Sequence, residues 1–195
     1  MFRVIMSFVV SFLFISCGAT NQPSKSSDTI SNIDYKPWGY IAEHGSFSIQ
    51  IPSTWDVKKV SALHNFPSTF SFRANQGDSF TILLTPIYNK SFNSSKNIKY
   101  LMQKELKTLI LTAVNKDEKL KKLTKSKHEG YYFQLLDSRP IKKGEYKYVV
   151  RLGIGAGKLL ISATILTNEK NLPAITHMIN ALKNAKIIDS PPKSK

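Results

Sequence analysis

Phe47-Ser48-Ile49-Gln50-Ile51-Pro52-Ser53-Thr54-Trp55 is the stretch on which the fold turns. Phe47, Ile49 and Ile51 alternate with Ser46, Ser48 and Gln50. Successive side chains of an extended chain point to opposite faces, so this is a strand with one buried face. Pro52 has no amide hydrogen to offer a ladder and ends it. The same period recurs at Phe70 and Phe72, then at Phe80, Ile82 and Leu84, with Asn75-Gln76-Gly77-Asp78 as the turn between them. It returns at Tyr131–Leu136, Tyr146–Ile154 and Leu159–Leu166. In the second of these, Tyr146, Tyr148, Val150, Leu152 and Ile154 share a face.

Two segments change to the helical period. From Ser95 to Val114 the residues Ile98, Leu101, Met102, Leu109, Ile110 and Ala113 form an apolar stripe. Lys96, Lys99, Lys104 and Lys107 fall mainly outside it, and Ser95 is placed as N-cap. From Pro173 to Lys186, Ile175, Met178, Ile179 and Leu182 form a second stripe, with Pro173 suited to a first turn. Five or six mostly antiparallel strands with two main helices predict an α+β fold.

The spacing F-x-I-x-x-P-x-x-W of Phe47, Ile49, Pro52 and Trp55 resembles the opening strand of the PsbP-like fold. The order of elements from about Tyr40 to Ile188 is similar too. That superfamily takes in the PsbP subunit of photosystem II, a eukaryotic Ran-binding factor and bacterial lipoproteins of the DcrB type. The resemblance implies an α/β/α sandwich around a central, mostly antiparallel sheet, which binds, stabilises or assembles partners and performs no known chemistry. It implies a core role for Phe47, a strand-ending role for Pro52, and packing of Trp55 beneath the following loop. No metal or docking residue of the photosystem subunit has a counterpart, so nothing photosynthetic is implied.

The first residues carry a separate message. Arg3 precedes an almost wholly apolar run from Val4 to Phe14, closed by Phe14-Ile15-Ser16-Cys17-Gly18. Basic residue, apolar core, small residue and cysteine stand in the order of a lipobox, with Phe14 where leucine is commonest. As a helix the run spans only ~16 Å, about half a bilayer core. A signal anchor or an ordinary signal peptide with a stray cysteine are the alternatives. The reading divides the chain into a lipoprotein signal peptide (1–16), lipidation at Cys17, a Ser/Asn-rich flexible tether (17–34), a folded domain (35–188) and a C-terminal tail (189–195). Cys17 is the single cysteine, so no disulfide holds the domain.

The net charge is +15. Residues 17–86 are balanced, and the excess falls between residues 87 and 195. Such a surface attracts polyanions: lipid head groups, envelope polysaccharide or nucleic acid. It serves equally as a solubility device, and lysine far outnumbers the arginine that planar phosphate recognition favours. Lys119, Lys121, Lys125 and Lys127 share one parity about Leu123. If extended, they project from one face and join Lys116, Lys122 and the Lys142/Lys143 turn in a basic strip. The alternative is an edge strand guarded by lysines against pairing. Nucleic acid fits poorly: no aromatic side chains interleave with the run as stacking sites.

Catalytic patterns are hard to find. His44, His64, His128 and His177 lack metal-ligand spacing, and no second cysteine exists for a zinc site. Gly153-Ile154-Gly155-Ala156-Gly157-Lys158 fails as a phosphate loop, since Leu152 and Leu159 stand where glycine and a hydroxyl are needed. Gly155-Ala156-Gly157 reads instead as a hairpin turn. Asp137 and Glu145 flank a turn holding Arg139, where ion pairing accounts for them. The sequence therefore predicts a non-enzymatic protein without cofactor or metal. It would be held at the cell envelope by lipid, on the outer membrane in a cell that has one, and would serve an envelope protein partner or an anionic lipid or polysaccharide.

Overall fold

The alternation about Phe47 becomes β2 (Gly45–Pro52), buried at Phe47, Ile49 and Ile51 and ended by Pro52 as expected. In the computed structural model, residues 33–42, 45–60, 67–74, 79–88, 93–140, 142 and 144–188 are described. The signal peptide, Cys17, most of the tether, the turn at 75–78, His44, His64, Lys143 and the C-terminal tail lie outside them.

The strand β2 is the centre of a small antiparallel sheet, flanked by β1 (Tyr35–Ala42) and β10 (Lys186–Ile188). The remaining strands form a second sheet: β3 (Trp55–Val60), β4 (Thr69–Ala74), β5 (Phe80–Tyr88), β6 (Lys121–Lys122), β7 (Glu129–Leu136), β8 (Tyr148–Ala156) and β9 (Leu159–Thr167). Their order is β3-β4-β5-β9-β8-β7-β6, antiparallel throughout. The described strands thus exceed the five or six expected and divide between two sheets. β6 and β10 are too short to show a period. β1 (YKPWGYIA) is an edge strand whose Trp38 and Tyr40 are only half-buried, so its alternation is faint.

The helices are α1 (Ser94–Leu109), continued by a 3-10 turn at Ile110–Thr112, and α2 (Pro173–Lys183), with Pro173 in its first turn. The second ends short of the expected Lys186 because Lys186–Ile188 pair with β2 instead. One helix covers each face of the large sheet, and α2 shares its layer with the small sheet. This is an α+β fold with α/β/α layering. Between α2, the small sheet and the large sheet lies the main core, including Phe47, Ile51, Phe72, Ile82, Leu84, Leu152, Ile165, Met178 and Leu182. Beneath α1 lies a smaller one: Ile98, Met102, Leu106, Ala113, Tyr131, Phe133 and Leu135. Trp55 opens β3, and its ring packs on Phe80 and His177 in the main core.

The seating of α1 departs from the expected cap. Asn93, not Ser95, caps the helix: its side-chain oxygen accepts from the Lys96 amide at 3.2 Å. Ser94 and Ser95 instead fasten the helix to the β8–β9 hairpin. The Ser94 hydroxyl lies 2.8 and 2.6 Å from the Gly157 and Leu159 carbonyls. Ser95 Oγ accepts from the Gly157 amide at 2.8 Å. The hairpin expected at Gly155-Ala156-Gly157 turns later, at Gly157-Lys158, because Gly155 and Ala156 still pair with β9; Gly157 stands at φ 56°, where a side chain would be strained. At Gly155 a Cβ would fall onto the Ser94 carbonyl, so its lack of a side chain sets how closely α1 crosses β8.

Candidate basic surface and the clefts beside α2

A strand extends its face only while its partner continues, and β6 pairs with β7 at two positions alone: Lys121 with Tyr132 and Lys122 with Tyr131. The extended run from Lys119 to Lys127 does not form. The chain turns at Thr124-Lys125, with Lys125 at φ 57°, the left-handed region a non-glycine residue rarely enters. The lysines therefore part company. Lys122 shares the face of Tyr131, under α1, and pairs with Glu129 at 3.2 Å. Lys121 takes the opposite face, pairing with Glu118 at 2.8 Å and resting 5.8 Å from the Tyr132 ring centre. Leu123 plunges into the main core, and Ser126 reaches the Lys183 carbonyl at the end of α2. Lys125 and Lys127 follow it round the edge of the sheet, and Lys119 is exposed on the approach.

Lys142 is exposed in the β7–β8 turn, its amide donating to Glu145 at 3.0 Å. That turn follows Leu136, four residues or about 13 Å along β7 from Tyr132, the partner of Lys121. Lys116 spends its ammonium on the Ile110 and Leu111 carbonyls, 2.9 and 2.6 Å away, closing the end of the α1 helix. Four of the lysines expected to make one strip are thus shared among two sheet faces, a helix end and a distant turn.

The helix α1 supplies the continuity that β6 does not. Ile98, Met102 and Leu106 face inward, which turns Lys96, Tyr100, Lys104 and Lys107 outward. Tyr100 is 64% exposed and Leu111, on the same side, 74%. The first end of this face lies by Glu129: Lys99 joins Lys122 in holding the Glu129 carboxyl below its ordinary pKa, though the largest cause is the hydrogen bond from Tyr131. Burial and that same bond push Tyr131 up to about 12. The far end reaches the β7–β8 turn, where Ser138 donates to the Thr112 carbonyl through both amide and hydroxyl. The single carboxylate of α1, Glu105, turns inward to Arg151 at 2.5 Å. The spacing of Lys96, Lys104 and Lys107 was visible in the sequence as the polar side of a stripe, but so is that of any surface helix.

Elsewhere, two open clefts of about 440 and 510 Å³ flank α2. Trp55, Phe80, Pro52 and Leu172 line the first, while Tyr35, Ile49, Asn180 and Lys186 line the second. His177 borders both, accepting or donating at Nδ1 with the Tyr35 hydroxyl at 2.9 Å. Burial lowers its pKa, since the charged ring is the form that loses water. Asp137 holds Arg139 at 2.5 Å, and the arginine draws the carboxyl below its usual range. Among the described residues no three His, Cys, Asp or Glu side chains gather as metal ligands, and no helix is long and apolar enough to cross a membrane.

No family model matches this chain, and no curated protein does. Among solved structures, it is similar to the solution structure of cyanobacterial PsbP (CyanoP) from Synechocystis sp. PCC 6803. Identity there is 9% and the TM-score 0.47, with 86% of this chain and 100% of that one covered. It is also similar to a crystal structure from Bacteroides thetaiotaomicron VPI-5482, at 13% identity and TM-score 0.47. That match covers 76% of this chain, which spans 46% of the other's length.

Proposed function

We propose that the chain is a non-catalytic binding protein, tethered at a cell-envelope membrane by lipid on Cys17, that helps hold or assemble an envelope protein complex. The observation that carries this reading is the character of the surface. Among the described residues, ionisable side chains are spread along an exposed helix and a sheet edge, a few of them in ion pairs, instead of converging on an enclosed site. A protein so built works by contact area, which needs standing surfaces and not a reactive group. The lipobox order of residues 3–18 supports the tether.

The test is to extract the tagged full chain with its envelope in mild detergent and wash it across a salt gradient. One stoichiometric protein retained above about 0.5 M salt, where charge attraction is largely screened, supports the accessory reading. Release of only anionic lipid or polymer at low salt overturns it. The intact mass of the same preparation reports whether Cys17 carries acyl chains. The lysines of α1, left without a carboxylate on their own face, favour a second reading in which the bound partner is a polyanion.

A further inference from the structure

We infer that the outer face of α1 is a membrane-contact surface that lies on anionic phospholipid head groups. The inference rests on the second, polyanion-binding reading above and names its partner. Tyr100, Lys104, Lys107 and Leu111 follow one another at intervals of four, three and four residues, which stacks them on one side of a helical segment. Lys96 stands on the same side and Lys99 on its flank. No carboxylate of α1 competes, because Glu105 is engaged inward with Arg151. The excess positive charge of this face is therefore available to a negatively charged surface.

Exposed apolar side chains select the lipid over a soluble polymer. Leu111 is 74% exposed and Val114 56%, beyond the last lysine of the helix, and Tyr100 stands among the lysines. A polysaccharide can stack on a tyrosine but has no apolar layer to receive Leu111 and Val114, whereas a head-group layer accepts aliphatic and aromatic groups at the edge of the acyl region beneath a ring of ammonium groups. Reach permits the contact. The chain leaves β1 on the α2 side, opposite α1, and residues 17–34 span at most roughly 60 Å when extended. That exceeds the ~40 Å width of a domain of this size.

The experiment maps lysine acylation by mass spectrometry on the purified full chain, alone and with vesicles of phosphatidylglycerol or of phosphatidylcholine. Lys96, Lys99, Lys104 and Lys107 are expected to lose at least fivefold in reactivity on the anionic vesicles and to keep it on the neutral ones. Lys186, exposed in the opposite layer, keeps its reactivity on both. Leu111→Ser should return part of that reactivity on vesicles while leaving protection by dextran sulfate unchanged. If the α1 lysines stay as reactive as Lys186 on anionic vesicles, the inference fails. It also fails if dextran sulfate protects them as well as vesicles do and Leu111→Ser alters neither. Lipid on Cys17 is read separately from intact mass, and an unlipidated chain that still shows the α1 pattern would overturn the tether and keep the contact surface.

Discussion

The two faces of the large sheet are built differently. On the α2 side the packing is apolar and aromatic: the Trp38 ring meets those of Phe47, Phe70 and Phe72 at 5.6, 5.0 and 4.8 Å, and Phe72, Ile82, Leu84 and Ile165 are fully buried. On the α1 side a smaller cluster shares its floor with an ion pair, Arg151–Glu105, and with two glycines, Gly153 and Gly155, that let the helix come close. Apolar burial is the main stabilising term, and most of it lies on the first face. The second is held by a smaller apolar cluster and a few polar ties, and its outer surface carries an excess of lysine beside exposed Tyr100 and Leu111. Stability and surface chemistry are thereby assigned to opposite sides of one sheet.

The largest effect expected from that division is on the α2 side. Phe72→Ala should cost about 3–5 kcal/mol, as an aromatic ring removed from a fully packed site, whereas Leu106→Ala beneath α1, at the margin of its cluster, should cost about 2 kcal/mol. Urea unfolding of the two variants measures both, and equal losses would erase the contrast. A smaller effect belongs to Gly155→Ala. The added methyl meets the backbone of Ser94, so about 1–3 kcal/mol is lost as strain. Hydrogen exchange should quicken in α1 while the amides of β5 and β9 stay protected. Uniform quickening would show that the helix is not a separable part.

The smallest effect is a difference in acid sensitivity. His177 is desolvated in the α2 layer, so its folded pKa lies below 6.5 and the unfolded chain takes up the proton first. Its contribution is complete above pH 6.5 and drains away as pH falls from there towards the folded value. Glu129 and Asp137, tied to the α1 side, are depressed carboxylates. Their contributions are complete above the unfolded values of 4.5 and 3.8 and are lost only as pH falls through the lower folded ones. Melting temperatures taken between pH 7.5 and 5.5 should therefore decline gently, and His177→Gln should flatten the decline. An undiminished slope in that variant would place the sensitivity elsewhere.

What could be read from residues alone was whatever repeats locally. The alternations at Phe47–Ile51, Phe70–Phe72, Phe80–Leu84 and Tyr148–Ile154, and the stripes of α1 and α2, follow from the two-residue and 3.6-residue periods of a backbone in its own conformation. They were enough for an α+β fold with two main helices, and for Pro52 and Pro173 at their boundaries. Tertiary structure alone decided which strands pair. The division into two sheets, the capture of Lys186–Ile188 by β2, and the two-residue length of β6 depend on partners far away in the chain. The lysines of residues 119–127 show the consequence. Equal parity placed them on one face only if the chain stayed extended, and Leu123 is drawn into the core while Lys125 turns. The cationic surface passed instead to α1, where Ser94, Ser95 and Gly155 seat the helix on a hairpin some sixty residues later. A side chain's face is a local property of its backbone, but what lies opposite that face is set by the whole chain.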